Sequence, residues 1–249
     1  MQRYFLEESY TPQERYEVTG EPYHHMVRVM RMNTGQQVYL AFQNRVSIIA
    51  EITDMTESTV VLKEIAKEQQ EKELPIAITI ASGYPKGDKL DLVVQKGTEL
   101  GAASFIGFPA KTSVVKWDAK KLAKKQQRLE KIAQEAAEQS HRQVTPTVEL
   151  IATEQEFLTK VATYDVIVVA YEESAKQGER AQLAQILQQV EPGTRLLAIF
   201  GPEGGLTMQE VDTLVEMQGQ LCGLGPRILR AETAPFYLLS AASYQLELL

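Results

Sequence analysis

Apolar and polar positions change rhythm once along the chain. Through residues 1–66 the apolar positions come in short bursts with partial alternation, rich in β-branched and aromatic side chains, at 2–6, 16–19, 37–42, 45–53 and 59–65. Such bursts suit half-buried strands. Asn33-Thr34-Gly35 and Gln43-Asn44 supply turns between them, and residues 23–30 carry a short helical pattern. Five short strands and one helix predict a small barrel. The stretch 67–74 (KEQQEKEL) is polar and charged and ends at Pro75, which marks a linker.

From residue 76 the bursts become continuous apolar runs, at 76–81, 105–108, 166–171 and 196–200, separated by helical patterns. Leu90, Val93, Val94, Gly97 and Leu100 form one helical stripe. Leu129, Ile132, Ala133, Ala136 and Ala137 form a second, in a helix with Asp118 as N-cap, and Leu183, Ile186, Leu187 and Val190 a third. Runs apolar on every position, alternating with helices, predict a parallel sheet covered on both faces.

Composition narrows the class. At 249 residues the chain is long enough for a substantial core, and its 44% hydrophobic and 24% charged residues are ordinary for a globular protein. No run reaches the length of a membrane span, and residues 1–10 lack an apolar signal segment, so a cytoplasmic protein without membrane attachment is expected. The single Cys222 excludes an internal disulfide and a cysteine-based zinc cluster, and His24 and His25 lack companions at ligand spacing, so no metal is expected. A net charge of −7 argues against indiscriminate coating of nucleic acid. Between Lys111 and Lys131, however, Lys111, Lys116, Lys120, Lys121, Lys124, Lys125, Arg128 and Lys131 face Asp118 and Glu130 alone. Two readings stand for this segment, a solvated helix face or a stripe that contacts phosphates.

Two glycine loops close the chain. Gly201-Pro202-Glu203-Gly204-Gly205 follows an apolar run and precedes Thr207-Met208-Gln209-Glu210, a capping box that opens a helix to about residue 217. Gly223-Leu224-Gly225-Pro226-Arg227-Ile228-Leu229-Arg230-Ala231-Glu232-Thr233-Ala234 leads into an apolar helix at 236–249. Strand, glycine loop and capped helix present backbone N–H groups to a small polar ligand. No Gly-Lys-Ser/Thr closes the first loop, and its late position leaves too little chain for a dinucleotide fold, which disfavours ATP and NAD sites. Read locally, the glycines serve tight turns, Glu203 suits a helix start, and Thr233 an N-cap. Arg227 and Arg230, bracketing Ile228 and Leu229, are poorly placed for a core and suit contact with an anionic or carbonyl group.

The loop pair resembles the RsmE family, S-adenosylmethionine-dependent methyltransferases of the SPOUT superfamily that modify N3 of a uridine in bacterial small-subunit ribosomal RNA. Arg3-Tyr4-Phe5, the stretch 25–31, Lys86-Gly87-Asp88-Lys89, residues 95–101, residues 135–142 and Pro146 extend the resemblance over nearly the whole chain. Asp91 and Leu92 depart from the family pattern. The resemblance implies a PUA-like β-barrel for RNA at 1–70 and, at 75–249, an α/β SPOUT domain with a parallel sheet and a C-terminal deep trefoil knot. It also implies a homodimer acting on 16S ribosomal RNA within the small ribosomal subunit. The cofactor, S-adenosyl-L-methionine, would be held by Tyr171, Gly201, Glu203, Gly204, Leu224, Gly225, Ile228, Leu229 and Thr233. RNA contacts would fall to Arg3, Arg28, Arg31, Lys86, Lys89 and Arg142. At the chemistry, Arg230 would favour the uracil anion and Glu232 would be a proton acceptor. The rival readings are a non-catalytic RNA-binding protein with a degenerate SPOUT domain and a nucleotide-dependent enzyme acting on a small metabolite.

Overall fold

Alternating burial shapes the first sheet. In the computed structural model, which describes residues 1–172 and 182–249, Val38, Leu40 and Phe42 of one strand, Ile48, Ala50 and Ile52 of the next, and Val60 and Leu62 of a third point to one core. The strands are β1 (Arg3–Leu6), β2 (Tyr16–Val18), β3 (Gln37–Phe42), β4 (Ser47–Met55) and β5 (Val60–Lys67). They form a five-stranded sheet in the order β1-β3-β4-β5-β2, with β1 and β3 parallel and the other pairs antiparallel. Register shifts at Ile49/Ala50 and Ile52/Asp54 bend β4 against β5. Tyr4, Tyr16, Val18 and Met26 complete the core.

The helix expected at 23–30 is two pieces. Helix α1 (Gly20–His24) passes into a wider π turn at His25–Val29, closed by the Met30 N–H donating to the His25 carbonyl at 2.9 Å. The extra residue buries Met26 and leaves Arg28 exposed. Arg31 follows in the left-handed region at φ 50°.

A second sheet has six strands, β6 (Ala77–Gly83), β7 (Ser104–Phe108), β8 (Thr147–Leu150), β9 (Val166–Ala170), β10 (Arg195–Phe200) and β11 (Gln220–Cys222). All its pairings are parallel and its order is β11-β9-β10-β6-β7-β8. Helices α2 (Lys89–Glu99), α3 (Ala119–Gln139), α4 (Glu154–Val161), α5 (Gln182–Gln189), α6 (Met208–Glu216) and α7 (Thr233–Glu247) cover it. Leu196, Ala198 and Phe200 of β10 pack with residues of α2, α3, α5 and α7, whereas Leu197 and Ile199 pack with Phe157 and Val161 of α4 and Leu214 of α6. Burial on both faces explains why these strands read as unbroken apolar runs.

Helix α3 is built against its own electrostatics. Leu122, Leu129, Ala133 and Ala136 are its buried line, and Asp118 Oδ1 caps its first turn by accepting the Lys121 N–H at 2.8 Å. Cations crowd that turn, where the helix dipole disfavours them. The like-charged pairs Lys120/Lys124, Lys121/Lys125 and Lys124/Arg128 each cost about 0.2–0.5 kcal/mol.

Contacts divide the described chain into two compact units. The first is Met1–Glu73 with Ala137–Thr145, the second Leu74–Ala136 with Pro146–Leu249. A single boundary near residues 70–75 does not express the return of 137–145 to the first unit. That return rests on Glu73, whose carboxylate accepts from the Arg142 guanidinium and from the Gln143 N–H at 2.9 Å.

Candidate functional site

In an all-parallel sheet every strand ends at the same edge, and ligands of open α/β sheets sit there, beside the point where strand order reverses. Here the order reverses between β6 and β10. The two strands leave little room: a Cβ on Gly83, the last residue of β6, would stand 2.6 Å from Pro202 Cδ. The loop after β10 therefore lies directly over the end of β6.

That loop doubles back on itself. A Cβ on Gly201 would meet the Gly205 carbonyl carbon at 2.6 Å and the Leu206 nitrogen at 2.8 Å, so no other residue fits without moving backbone. Gly205, at φ 69°, donates its N–H to the Pro202 carbonyl at 2.8 Å. Thr112, in the loop after β7, donates to the Gly205 carbonyl and leaves only 2.9 Å for a Cβ on Gly204. The capping box forms as expected: Thr207 Oγ1 accepts the Glu210 N–H, and Glu210 Oε2 accepts the Thr207 N–H at 2.8 Å. Glu210 also accepts the Lys111 N–H at 2.8 Å and is buried, which fastens the β7 loop to α6. No local pattern in the sequence points to Thr112 or to this second role of Glu210.

The second loop follows β11. Gly225 has φ 82°, with the Tyr237 hydroxyl 3.5 Å from where its Cβ would be. The Arg230 carbonyl accepts the N–H groups of Thr233 and Ala234 at 2.9 and 3.0 Å, which starts α7. Thr233 is thus the first helical residue rather than its N-cap. Glu232 holds the cap position without a side-chain cap bond. Leu224 and Leu229 are half-buried, while Arg227, Ile228 and Arg230 are exposed. Tyr171, at the end of β9, donates its N–H to the Cys222 carbonyl at 3.0 Å and its hydroxyl to Met208 Sδ at 3.3 Å.

Lys89 joins the two loops. Its Nζ lies 2.8 Å from Glu203 Oε1 and 3.4 Å from Glu232 Oε2, a buried oxygen that makes no hydrogen bond. Glu203 also accepts the Lys86 N–H at 3.1 Å, so it serves this junction and not the start of α6. The hydrogen bond to Glu203 raises the Lys89 pKa, with the Glu232 charge adding to it. Burial pushes the Glu203 carboxyl up, but the hydrogen bonds from Lys89 and the Lys86 N–H outweigh it and hold the group below the usual carboxylate range. Lys89, expected to face RNA, is committed to these two carboxylates.

Two other expected RNA contacts are buried in ion pairs. Arg3 is 1% exposed: its Nη2 donates to both Glu68 oxygens at 2.7 Å, its Nη1 donates to Ser47 at 2.8 Å, and its guanidinium lies over the Tyr39 ring. Arg142 is 4% exposed and paired with Glu73. Neither guanidinium is presented to a ligand, because a carboxylate distant in sequence answers each. Arg28, Arg31 and Lys86 are exposed.

The glycine loops fit a flat, polar cofactor such as S-adenosylmethionine. Gly201 and Gly204 let the first loop close on itself and against Thr112, Gly225 keeps a side chain off the second loop, Leu224 and Leu229 offer apolar walls, and the buried Glu232 oxygen lacks a donor at hydrogen-bonding geometry.

The RNA methyltransferase domain family matches residues 72–243, and the RNA methyltransferase PUA domain family matches residues 18–65. The chain is 50% identical to ribosomal RNA small subunit methyltransferase E of Bacillus subtilis (strain 168) over 252 positions, covering 100% of this chain and 98% of that one. A crystal structure of a hypothetical protein, 46% identical, superposes with a TM-score of 0.90 over 99% of both chains. A protein from Legionella pneumophila assigned as a methyltransferase and solved with its cofactor SAM bound is 26% identical, with a TM-score of 0.81 over 97% of this chain and 96% of that one.

Proposed function

The chain belongs to the ribosomal RNA small subunit methyltransferase E family, and from that premise we propose how its residues methylate N3 of a uridine in 16S ribosomal RNA with S-adenosylmethionine. The observation that carries the reading is the Lys89 junction, which holds the two glycine loops together at the reversal point of a parallel sheet.

When bound, the cofactor supplies an electrophilic methyl group on a sulfonium. Everything else falls to the chain. Gly201, Gly204 and Gly225 let backbone approach the cofactor, with Leu224, Ile228 and Leu229 as apolar walls and Tyr171, Glu203 and Thr233 at the rim. The uracil imide must lose its N3 proton, and the charge left behind spreads over its carbonyl oxygens. Arg230, exposed and without an ion pair among the described residues, stabilises that charge. Glu232 Oε2 receives the proton, and Lys89 fixes the carboxylate in place. Positioning alone can supply roughly 7–11 kcal/mol, whereas a general base adds about 10²–10⁴-fold, so Arg230 and loop geometry matter more than Glu232. Arg28, Arg31 and Lys86 remain as RNA contacts.

The active form is a homodimer. Helix α7 is apolar around most of its circumference and exposes Tyr237 and Tyr244, with Leu248 exposed just past its end, a face suited to a second copy of the chain. The substrate confines the protein to the cytoplasm.

Nucleoside mass spectrometry of ribosomal RNA from cells lacking the protein tests the reading. Loss of 3-methyluridine from the small-subunit RNA, restored by the intact gene, is the expected result. Unchanged 3-methyluridine would reject it.

A further inference from the structure

The lysines at the head of α3 belong to no part of the site described above. Lys120, Lys124, Arg128 and Lys131 follow the i, i+4, i+8, i+11 spacing of one helical face, all are exposed, and Lys116 and Lys121 flank them. The line is about 16 Å long at ~1.5 Å per residue. Arg128 is paired with Asp91, and Lys125 turns inward to lie 4.7 Å over the Trp117 ring. Lys116, Lys120, Lys121 and Lys124 make no ion pair among the described residues.

A solvated helix face explains these lysines poorly. Surface helices that need only solubility mix signs at i, i+4, as Lys131 and Glu135 do farther along α3. The first turns of α3 set like charges against one another and against the helix dipole, in a chain whose net charge is −7. Such a concentration lowers helix stability and is useful only toward an anionic partner. Its position names the partner. Thr112 is hydrogen-bonded to the Gly205 carbonyl of the first glycine loop, and Lys116, four residues farther along, lies within about 14 Å of Thr112 along the chain.

We propose that Lys116, Lys120, Lys121 and Lys124 form a phosphate track that holds the ribosomal RNA backbone beside the target uridine. The track extends the proposed function and rests on it, in that the anion beside this site is the methylated RNA. Lysines suit such a track because their compact charges meet phosphates without reading sequence. They add affinity and orientation while the pocket selects the base.

The test uses the full chain, an unmodified 16S ribosomal RNA transcript, and two variants: Lys120→Gln/Lys121→Gln/Lys124→Gln, and the same positions changed to Glu. Gln matches Lys in helix propensity, and Glu in a first turn favours the helix dipole, so neither variant is expected to melt below the parent. Binding is measured between about 50 and about 200 mM salt. Loss of three phosphate contacts should weaken binding about tenfold or more and flatten the slope of log affinity against log salt by about 2. The Glu variant should bind more weakly still while melting no lower. The heat of S-adenosylmethionine binding should be unchanged, and KM for RNA should rise with kcat nearly constant.

Unchanged affinity and slope in both variants would overturn the track while leaving the methyltransferase reading intact. So would a lowered melting temperature in the Gln variant, since the lysines would then be structural. Weakened binding to small ribosomal subunits with transcript binding unaffected would point to a ribosomal protein and also refute the proposal. Failure of the parent protein to methylate either RNA would remove the function reading, and the track with it.

Discussion

The arginines of the two units look alike in sequence and behave differently in the fold. In the first unit Arg3 and Arg142 are buried against Glu68 and Glu73, carboxylates more than sixty positions away. In the second, Arg227 and Arg230 stand exposed at the rim of a glycine loop with no ion pair among the described residues. An arginine in a motif is therefore ambiguous until its partner is known. Where a distant carboxylate answers it, the charge organises the fold; where none does, it is free for a ligand.

The sharpest way to break this contrast is Arg3→Met. It removes the main partner of Glu68, leaving Lys72 at 2.6 Å, and should destabilise the first unit by roughly 3–5 kcal/mol. Urea unfolding would measure the loss, and S-adenosylmethionine binding should persist. If stability held and RNA affinity alone fell, Arg3 would belong with the exposed arginines after all. Arg230→Ala should do the reverse, lowering kcat about 10²–10³-fold, as for loss of one donor to a developing anion, while the unfolding curve stays put. Unchanged turnover would sink its assigned role.

Gly201→Ala sharpens the contrast from the backbone side. The site loop depends on close backbone approach, not on ion pairs, so the added methyl should weaken cofactor binding by about 1–3 kcal/mol. Calorimetry reading the parent affinity would refute the account of that loop. The smallest effect concerns pH. Burial, with the Arg3 and Lys72 charges, lowers the His141 pKa below its ordinary 6.5. Its folded value lies under its unfolded one, so its contribution is full above pH 6.5 and fades as pH falls through the folded value. Glu68 is also depressed: burial raises it, but hydrogen bonds from Arg3 and Lys72 win, and its contribution fades below about 4.5. Urea midpoints taken from about pH 7.5 to about 5.5 should decline slightly in the parent and not in His141→Gln; a rise in the parent would contradict the sign.

Much of the fold was legible in the sequence because burial patterns are local. Alternation at Val38, Leu40 and Phe42 marks a sheet with one buried face, and the unbroken run from Leu196 to Phe200 marks one buried on both. The capping box at Thr207 and Glu210 is a four-residue code and formed as expected. The strands β8 (Thr-Val-Glu-Leu) and β11 (Gln-Leu-Cys) carry polar residues among their few apolar ones and form no continuous apolar run. Helix α4 opens on a second box, Thr153 and Glu156, and buries only Phe157 and Val161, one residue pair rather than a stripe. What local pattern could not express is distance: the return of 137–145 to the first unit, the Arg3–Glu68 pair, and Lys89 meeting carboxylates from two later loops. The knot implied by family resemblance is likewise a matter of threading, which no periodicity reports.

Trp117 is the chain's single tryptophan, set at the head of α3 with Tyr84 at 4.4 Å and the Lys125 ammonium at 4.7 Å from its ring. The native protein therefore carries its own fluorophore, one indole with no second tryptophan to blur it. An ammonium drawn off that ring by a passing strand of RNA would change its emission, so occupancy of this helix can be followed by light in the unlabelled enzyme.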